Sequence, residues 1–226
     1  MGTYLIANAR ILDGTGKAAF AGAVRVNGNR VTEVTPGAAP PARGATVIDG
    51  AGMTLMPGLV ESHAHLGFAD IPSQELTRLP PEEHMLVTVR NAKLMLDCGY
   101  TSAFSAASPK PRLDVVLKRE IEAGRVPGPR LLANGPEITV TGGLGDTNML
   151  HLPHHETPTF CWVADGPDQI RRVCRLLARE GVDLLKLNLS GDAGTSSYPS
   201  DETPMSDAEV AAAMEVARAA RLRVAA

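Results

Sequence analysis

The spacing of hydrophobic and polar positions changes near residue 57. Before it, short β-rich runs alternate with turn formers: Leu5-Ile6-Ala7-Asn8-Ala9-Arg10-Ile11-Leu12 closes at Asp13-Gly14, and Thr46-Val47-Ile48 closes at Asp49-Gly50. Val24 and Val26, then Asn27-Gly28-Asn29, then Val31 predict two strands around a tight turn, because Asn-Gly supplies the positive φ that such hairpins need. Pro36 to Gly44 reads as a polar, proline-rich loop. Residues 1–57 are therefore expected to form a small β-sandwich ahead of a larger domain.

After Met56-Pro57-Gly58 the rhythm becomes strand, then helix, repeated. Pro81 to Leu96 carries Met85, Val89, Ala92 and Leu96 at helical spacing and stops at Gly99. Tyr100 to Ala107 predicts the next strand, Leu113 to Ala123 a helix closed by Gly124, and Pro129 to Thr139 a third strand. Pro167 to Glu180 places Ile170, Val173, Cys174 and Leu177 on one helical face, and Asp183 to Ser190 reads as a buried strand. Ser206 with Glu209 predicts a capping box for a helix to Ala220, and Leu222 to Ala226 opens another strand. Counted from Leu55, five strands alternate with helices long enough to cross back over a parallel sheet. The expected fold class is α/β: a (β/α)8 TIM-type barrel over 58–226, only about its first half, truncated in strand 5, since a complete barrel takes about 250 residues. A doubly wound open sheet is the alternative, but no GxGxxG follows the first strand.

Composition narrows the picture. With 226 residues, 44% hydrophobic and 21% charged, the chain can bury a core, which excludes disorder and fibrous structure. A net charge of −3 offers no electrostatic footprint for nucleic acid or an anionic membrane, and no apolar run approaches a membrane span, so a soluble cytoplasmic protein is expected. Cys98, Cys161 and Cys174 match neither a disulfide framework nor a CxxC knuckle. Cys98 and Cys174 fall in helical apolar patterns and are expected to be buried, whereas Cys161 falls in a loop.

Candidate chemistry begins at Gly58-Leu59-Val60-Glu61-Ser62-His63-Ala64-His65-Leu66. Residues two apart on a strand project to the same side, so His63 and His65 can offer imidazoles to one divalent ion at the strand's C-terminal end, where barrel sites gather. Lys186 lies among apolar residues of a predicted strand and is costly to bury as a cation. It must pair, with Asp192 or Glu61 as candidates, lose its charge, or react with CO2 to become a carboxylate-like carbamate.

These segments carry a resemblance. The stretch from Val47 to Leu66 resembles the entry to the metal-dependent amidohydrolase superfamily, in which a small β-domain precedes the barrel. Gly99-Tyr100-Thr101-Ser102, Pro127-Gly128-Pro129-Arg130-Leu131, Thr141-Gly142-Gly143 and Leu185-Lys186-Leu187-Asn188 resemble the branch of imidazolonepropionase-like proteins and zinc-dependent dipeptidases. The resemblance implies that His63 and His65 bind one ion, most often Zn2+, and that Lys186 is carbamylated and bridges two. It also implies that later strands supply two further histidines and a general-base aspartate. No catalytic base is then expected within these 226 residues, and the remainder of the barrel would come from the same or another chain. Where many relatives of that branch have histidine after Thr-Gly-Gly, this chain has Leu144.

The expected function is hydrolysis of an amide or related C–N bond in a small molecule (a peptide, N-acyl amino acid, cyclic amide or carbamate) by metal-activated hydroxide. A homo-oligomer, and no nucleic-acid or membrane partner, are expected alongside. The alternatives are a non-catalytic fragment or scaffold of the same fold and a mononuclear, deaminase-like enzyme. Val140 to Asp165 has no periodic pattern and is expected to be a loop over the site, with His151, His154 and His155 as candidate substrate contacts or solvated loop residues, and Phe160 and Trp162 as an apolar wall or as core packing.

Overall fold

The computed structural model describes residues 2–152 and 159–226. The chain divides into two compact units, Met1–Gly58 and Leu59–Ala226.

In the first unit β1 (Thr3–Ile11), β2 (Phe20–Asn27), β3 (Arg30–Pro36) and β4 (Thr46–Asp49) pair in the order β3-β2-β1-β4, and β5 (Thr54–Leu55) joins the far half of β1. β1 alternates as a half-buried strand should, with Leu5, Ala7, Ala9 and Ile11 inside. The Asn-Gly hairpin forms, with Asn27 opposite Arg30 and Gly28 at φ 62. Where a two-sheet sandwich is expected, these strands make one sheet. The reason lies in β1: β4 and β5 share one of its edges in succession, and an extra residue between Ile6 and Ala9, with Asn8 at φ 58, breaks its register against β2.

The second unit alternates parallel strands with helices. Its elements are β6 (Leu59–Ala64), α1 (Ser73–Arg78), α2 (Pro81–Asp97), β7 (Tyr100–Ser105), α3 (Leu113–Glu122), β8 (Arg130–Leu132), β9 (Glu137–Thr139), β10 (Cys161–Val163), α4 (Pro167–Glu180), β11 (Leu184–Lys186), α5 (Asp207–Ala220) and β12 (Arg223–Ala225). β6-β7-β8, β9-β10 and β11-β12 are parallel ladders, and a parallel bridge between Ile138 and Leu187 ties β9 to the end of β11. Asp183 fastens the start of β11 to the end of β8: its carboxylate takes the Lys118 ammonium at 2.8 Å and the Ala133 N–H at 2.7 Å. Gly99, Gly124 and Gly181 follow α2, α3 and α4 with φ of 90°, 68° and 93°. The Ser206–Glu209 capping box is present in full.

Three further expectations change. The strand over 129–139 is split, because Pro136 has no N–H to donate to a ladder and the Asn134 backbone N–H is taken by the Asp114 carboxylate at 3.4 Å instead of a neighbouring strand. The expected loop 140–165 contains β10, three residues held against β9 and too short to show a period. Cys98 is exposed rather than buried because it falls at the C-cap of α2, past the last packed turn, whereas Cys161 and Cys174 are buried thiols.

One core cluster packs Ile170, Cys174 and Leu177 of α4 and Ala213 and Val216 of α5 on Ile138, Leu185 and Leu187. A second joins Ala64, Leu66, Ala92, Ala103, Leu117 and Leu131. Among the described residues, no helix is long and apolar enough to cross a membrane.

Candidate metal centre

β6 ends at Ala64, so His63 is its penultimate residue and His65 lies just beyond. Their rings stand with centroids 5.0 Å apart, His63 exposed and His65 half-buried. The His65 ring continues edge-on to Phe68 at 5.0 Å, and Phe68 meets Phe160 at 5.4 Å, so Phe68 borders His65 and Phe160 stands behind it. Trp162 instead packs toward the α4–α5 core.

Burial holds the His65 imidazole below the usual histidine range. The Glu137 carboxylate pulls the other way, while His63 and Lys186 push it further down. A neutral imidazole is the form that ligates a metal. Its Nδ1 is buried without a well-formed hydrogen bond, and the Ala107 backbone is the polar group that acts on the ring, raising its pKa.

Lys186 ends β11 within electrostatic reach of His65. Neither expected partner takes it. Glu61 accepts the His63 backbone N–H at 3.0 Å, and Asp192 is occupied by the backbone N–H groups of Gly194, Thr195 and Ser196 and by the Thr195 hydroxyl. The lysine therefore stands at the site without an ion pair or side-chain hydrogen bond among the described residues.

Glu137 is the residue that the sequence reading passed over. It is only 5% exposed, and its Oε2 accepts the Asn188 amide at 2.5 Å and the Cys161 thiol at 3.3 Å. Proximity to that carboxylate and burial push the Cys161 thiol far up, burial being the larger effect. The Ile138–Leu187 bridge sets Glu137 beside Lys186 in register, on the face opposite those two core side chains. An acid alternating with apolar Ile138 on a strand was the available signal.

The loop Thr141 to Asp146 is stitched to residues 195–197: the Gly145 N–H donates to Thr195 Oγ1 at 2.9 Å, and the Ser197 N–H to the Gly142 carbonyl at 2.8 Å. The Leu144 carbonyl receives the Asn188 amide at 3.1 Å. His151 is exposed; His154 and His155 lie outside the described residues.

No three His, Cys, Asp or Glu side chains among the described residues converge on a common point. The donors that stand together are the two imidazoles, with the Lys186 amine within electrostatic reach of His65. The two imidazoles fit part of a divalent-ion site and not a complete one.

The model of the Amidohydrolase family matches residues 54–226. Ochratoxinase of Aspergillus niger is 28% identical over 156 residues, 61% of this chain and 31% of that enzyme. Among solved structures, an amidohydrolase is 27% identical with a TM-score of 0.84, and a prolidase complexed with N-methylphosphonate-L-proline is 26% identical with a TM-score of 0.83. Each comparison covers 98% of this chain and 55% of the other. The chain thus spans about half the length of these solved structures and under a third of the curated relative.

Proposed function

The chain belongs to the amidohydrolase family, and from that premise we propose that it contributes half of a divalent-metal site for hydrolysing an amide or related C–N bond. The observation that carries the reading is the pair of neighbouring imidazoles at the end of β6, with the half-buried His65 ring within electrostatic reach of Lys186. In this reading the parallel strands β6, β7, β8–β9, β11 and β12 are the first five of a (β/α)8 barrel, and the sheet of the first unit is one part of the sandwich that accompanies it. The remaining ligands and the general-base aspartate belong to later barrel strands, as the family resemblance implies.

His63 and His65 bind the ion as neutral imidazoles. Lys186 would serve after its ammonium loses one proton and the neutral amine nitrogen bonds to the carbon of CO2 and loses a second, which replaces the cation by an anionic oxygen donor. An ion held there supplies polarisation of the scissile carbonyl and a lowered pKa for the attacking water. Phe68, backed by Phe160, keeps one edge of His65 dry, which strengthens electrostatic interactions at the ring.

For substrate class, the most specific support is the prolidase relative, which is complexed with N-methylphosphonate-L-proline. N-acyl amino acids and dipeptides are therefore the first substrates to assay, with His151→Ala testing contact through a raised KM. The test of the reading itself is elemental analysis of the full-length polypeptide together with its intact mass. Zinc, manganese or cobalt near or above one equivalent, lost with His65→Ala, supports it. A metal-free preparation that takes up no added zinc overturns it.

A further inference from the structure

Helix α2 buries a polar face that the reading above leaves unexplained. His84 and Thr88 are fully buried, and Asn91, seven residues after His84, lies on the same side of the helix. A core helix needs apolar side chains there for packing alone; buried polar ones persist when specific partners are waiting.

The partners are consecutive. Asn91 Nδ2 donates to the Leu66 carbonyl at 2.9 Å and to the Phe68 carbonyl at 2.5 Å, one acceptor for each amide hydrogen. His84 Nε2 donates to the Gly67 carbonyl between them at 2.7 Å. The Phe68 N–H returns to the His65 carbonyl at 3.1 Å. Every backbone carbonyl from His65 to Phe68 is thereby held.

The tautomer of His84 follows from its neighbours. Nε2 faces a carbonyl and must carry the hydrogen, which leaves Nδ1 bare to accept from the Lys110 ammonium at 2.8 Å, and Lys110 also donates to the Thr77 carbonyl at 3.2 Å. On its other side the segment is pinned by shape: a Cβ on Gly67 would lie 2.6 Å from Pro109 Cδ, and Pro109 precedes Lys110. The Phe68 ring, fixed through its own backbone, then rests edge-on against His65.

We propose that His84 and Asn91 are positioning residues that lock the Leu66-Gly67-Phe68 segment and so hold the His65 imidazole in its ligating orientation before an ion arrives. The proposal rests on the reading of His65 as a ligand. Groups that orient a metal ligand cost about 10- to 100-fold in affinity when removed.

The test uses the full-length polypeptide, with zinc affinity from chelator competition and the absorption spectrum of the cobalt-loaded protein as readouts. His84→Leu and Asn91→Leu are expected to weaken zinc by about 10- to 100-fold and to alter the cobalt bands. His84→Gln, whose amide can still donate to the Gly67 carbonyl, is expected to recover most of the affinity. Leu177→Ala, in the distant α4 core, should lower the melting temperature and leave both readouts unchanged. Folded His84→Leu and Asn91→Leu proteins with wild-type affinity and spectrum would overturn the proposal, as would His84→Gln binding no better than His84→Leu. If His84→Leu does not fold, Asn91→Leu alone decides by the same two readouts. His65→Ala separates the two layers: wild-type zinc affinity in that variant would overturn the ligand reading itself, whereas its loss beside unaffected His84 and Asn91 variants would overturn only the positioning role.

Discussion

Helices α4 and α2 bury faces of opposite character. The inner face of α4 is Ile170, Cys174 and Leu177, each fully buried and apolar. That of α2 is His84, Thr88 and Ala92, while the apolar residues Met85, Val89 and Leu96 sit half-buried at its flanks. The first helix is held by area removed from water, about 25 cal/mol per Å². The second trades part of that gain for directional bonds to the segment after His65. A fold that spends polar side chains inside a helix face marks where geometry matters more than adhesion.

The largest expected stability effect tests the α4 side. Leu177→Ala should cost about 2–5 kcal/mol in chemical denaturation, because the cavity it leaves is walled by Gly135 and the α4–α5 core and cannot easily collapse. A loss under about 1 kcal/mol would mean that this face is not the main stabilising contact of the unit.

A smaller effect probes a buried polar group away from the histidines. Asp114 in α3 is fully buried, beside the Ser105 and Ser108 hydroxyls and the Asn134 N–H, and burial pushes its carboxyl up to about 6 from 3.8. A folded-state pKa raised above the unfolded value favours the native state at low pH and loses that contribution as pH climbs from about 3.8 through about 6. Over that window stability should fall by an amount on the order of 3 kcal/mol attributable to this group. Asp114→Asn should flatten that part of the pH profile in urea titrations and be at least as stable as the parent at pH 8. An unchanged slope would show that Asp114 ionises freely.

The smallest effect concerns reactivity. Burial pushes the Cys174 thiol up to about 11 and Cys161 further still, so native protein should react with a thiol reagent at Cys98 alone. Rapid modification of Cys161 would contradict the closed Glu137–Asn188–Cys161 cluster.

The same contrast explains what could be read in advance. Pro167–Glu180 matched its helix to the residue because apolar spacing, a proline near its start and a glycine after its end agree. His63, His65 and Lys186 stood out because their chemistry is costly in the places the pattern assigns them. Glu137 did not, since a single acid on a three-residue strand shows no period, and its partner Asn188 lies 51 positions away. The polar face of α2 was hidden by its own flanks: Met85, Val89, Ala92 and Leu96 have helical spacing and draw attention from His84, Thr88 and Asn91, whose purpose appears only once Leu66 to Phe68 lie against them. Asn134-Gly135-Pro136, by contrast, carries a visible break in the third strand, and a proline inside a predicted ladder was reason enough to divide it.

The most direct test is a crystal structure of the full-length, zinc-loaded polypeptide with diffraction recorded at the zinc absorption edge. An anomalous peak bonded to His63 and His65, with density for a carboxylate on Lys186 Nζ reaching the same metal centre, is expected. Zinc bound elsewhere, or an unmodified Lys186 amine turned away from the two imidazoles, would contradict the assignment.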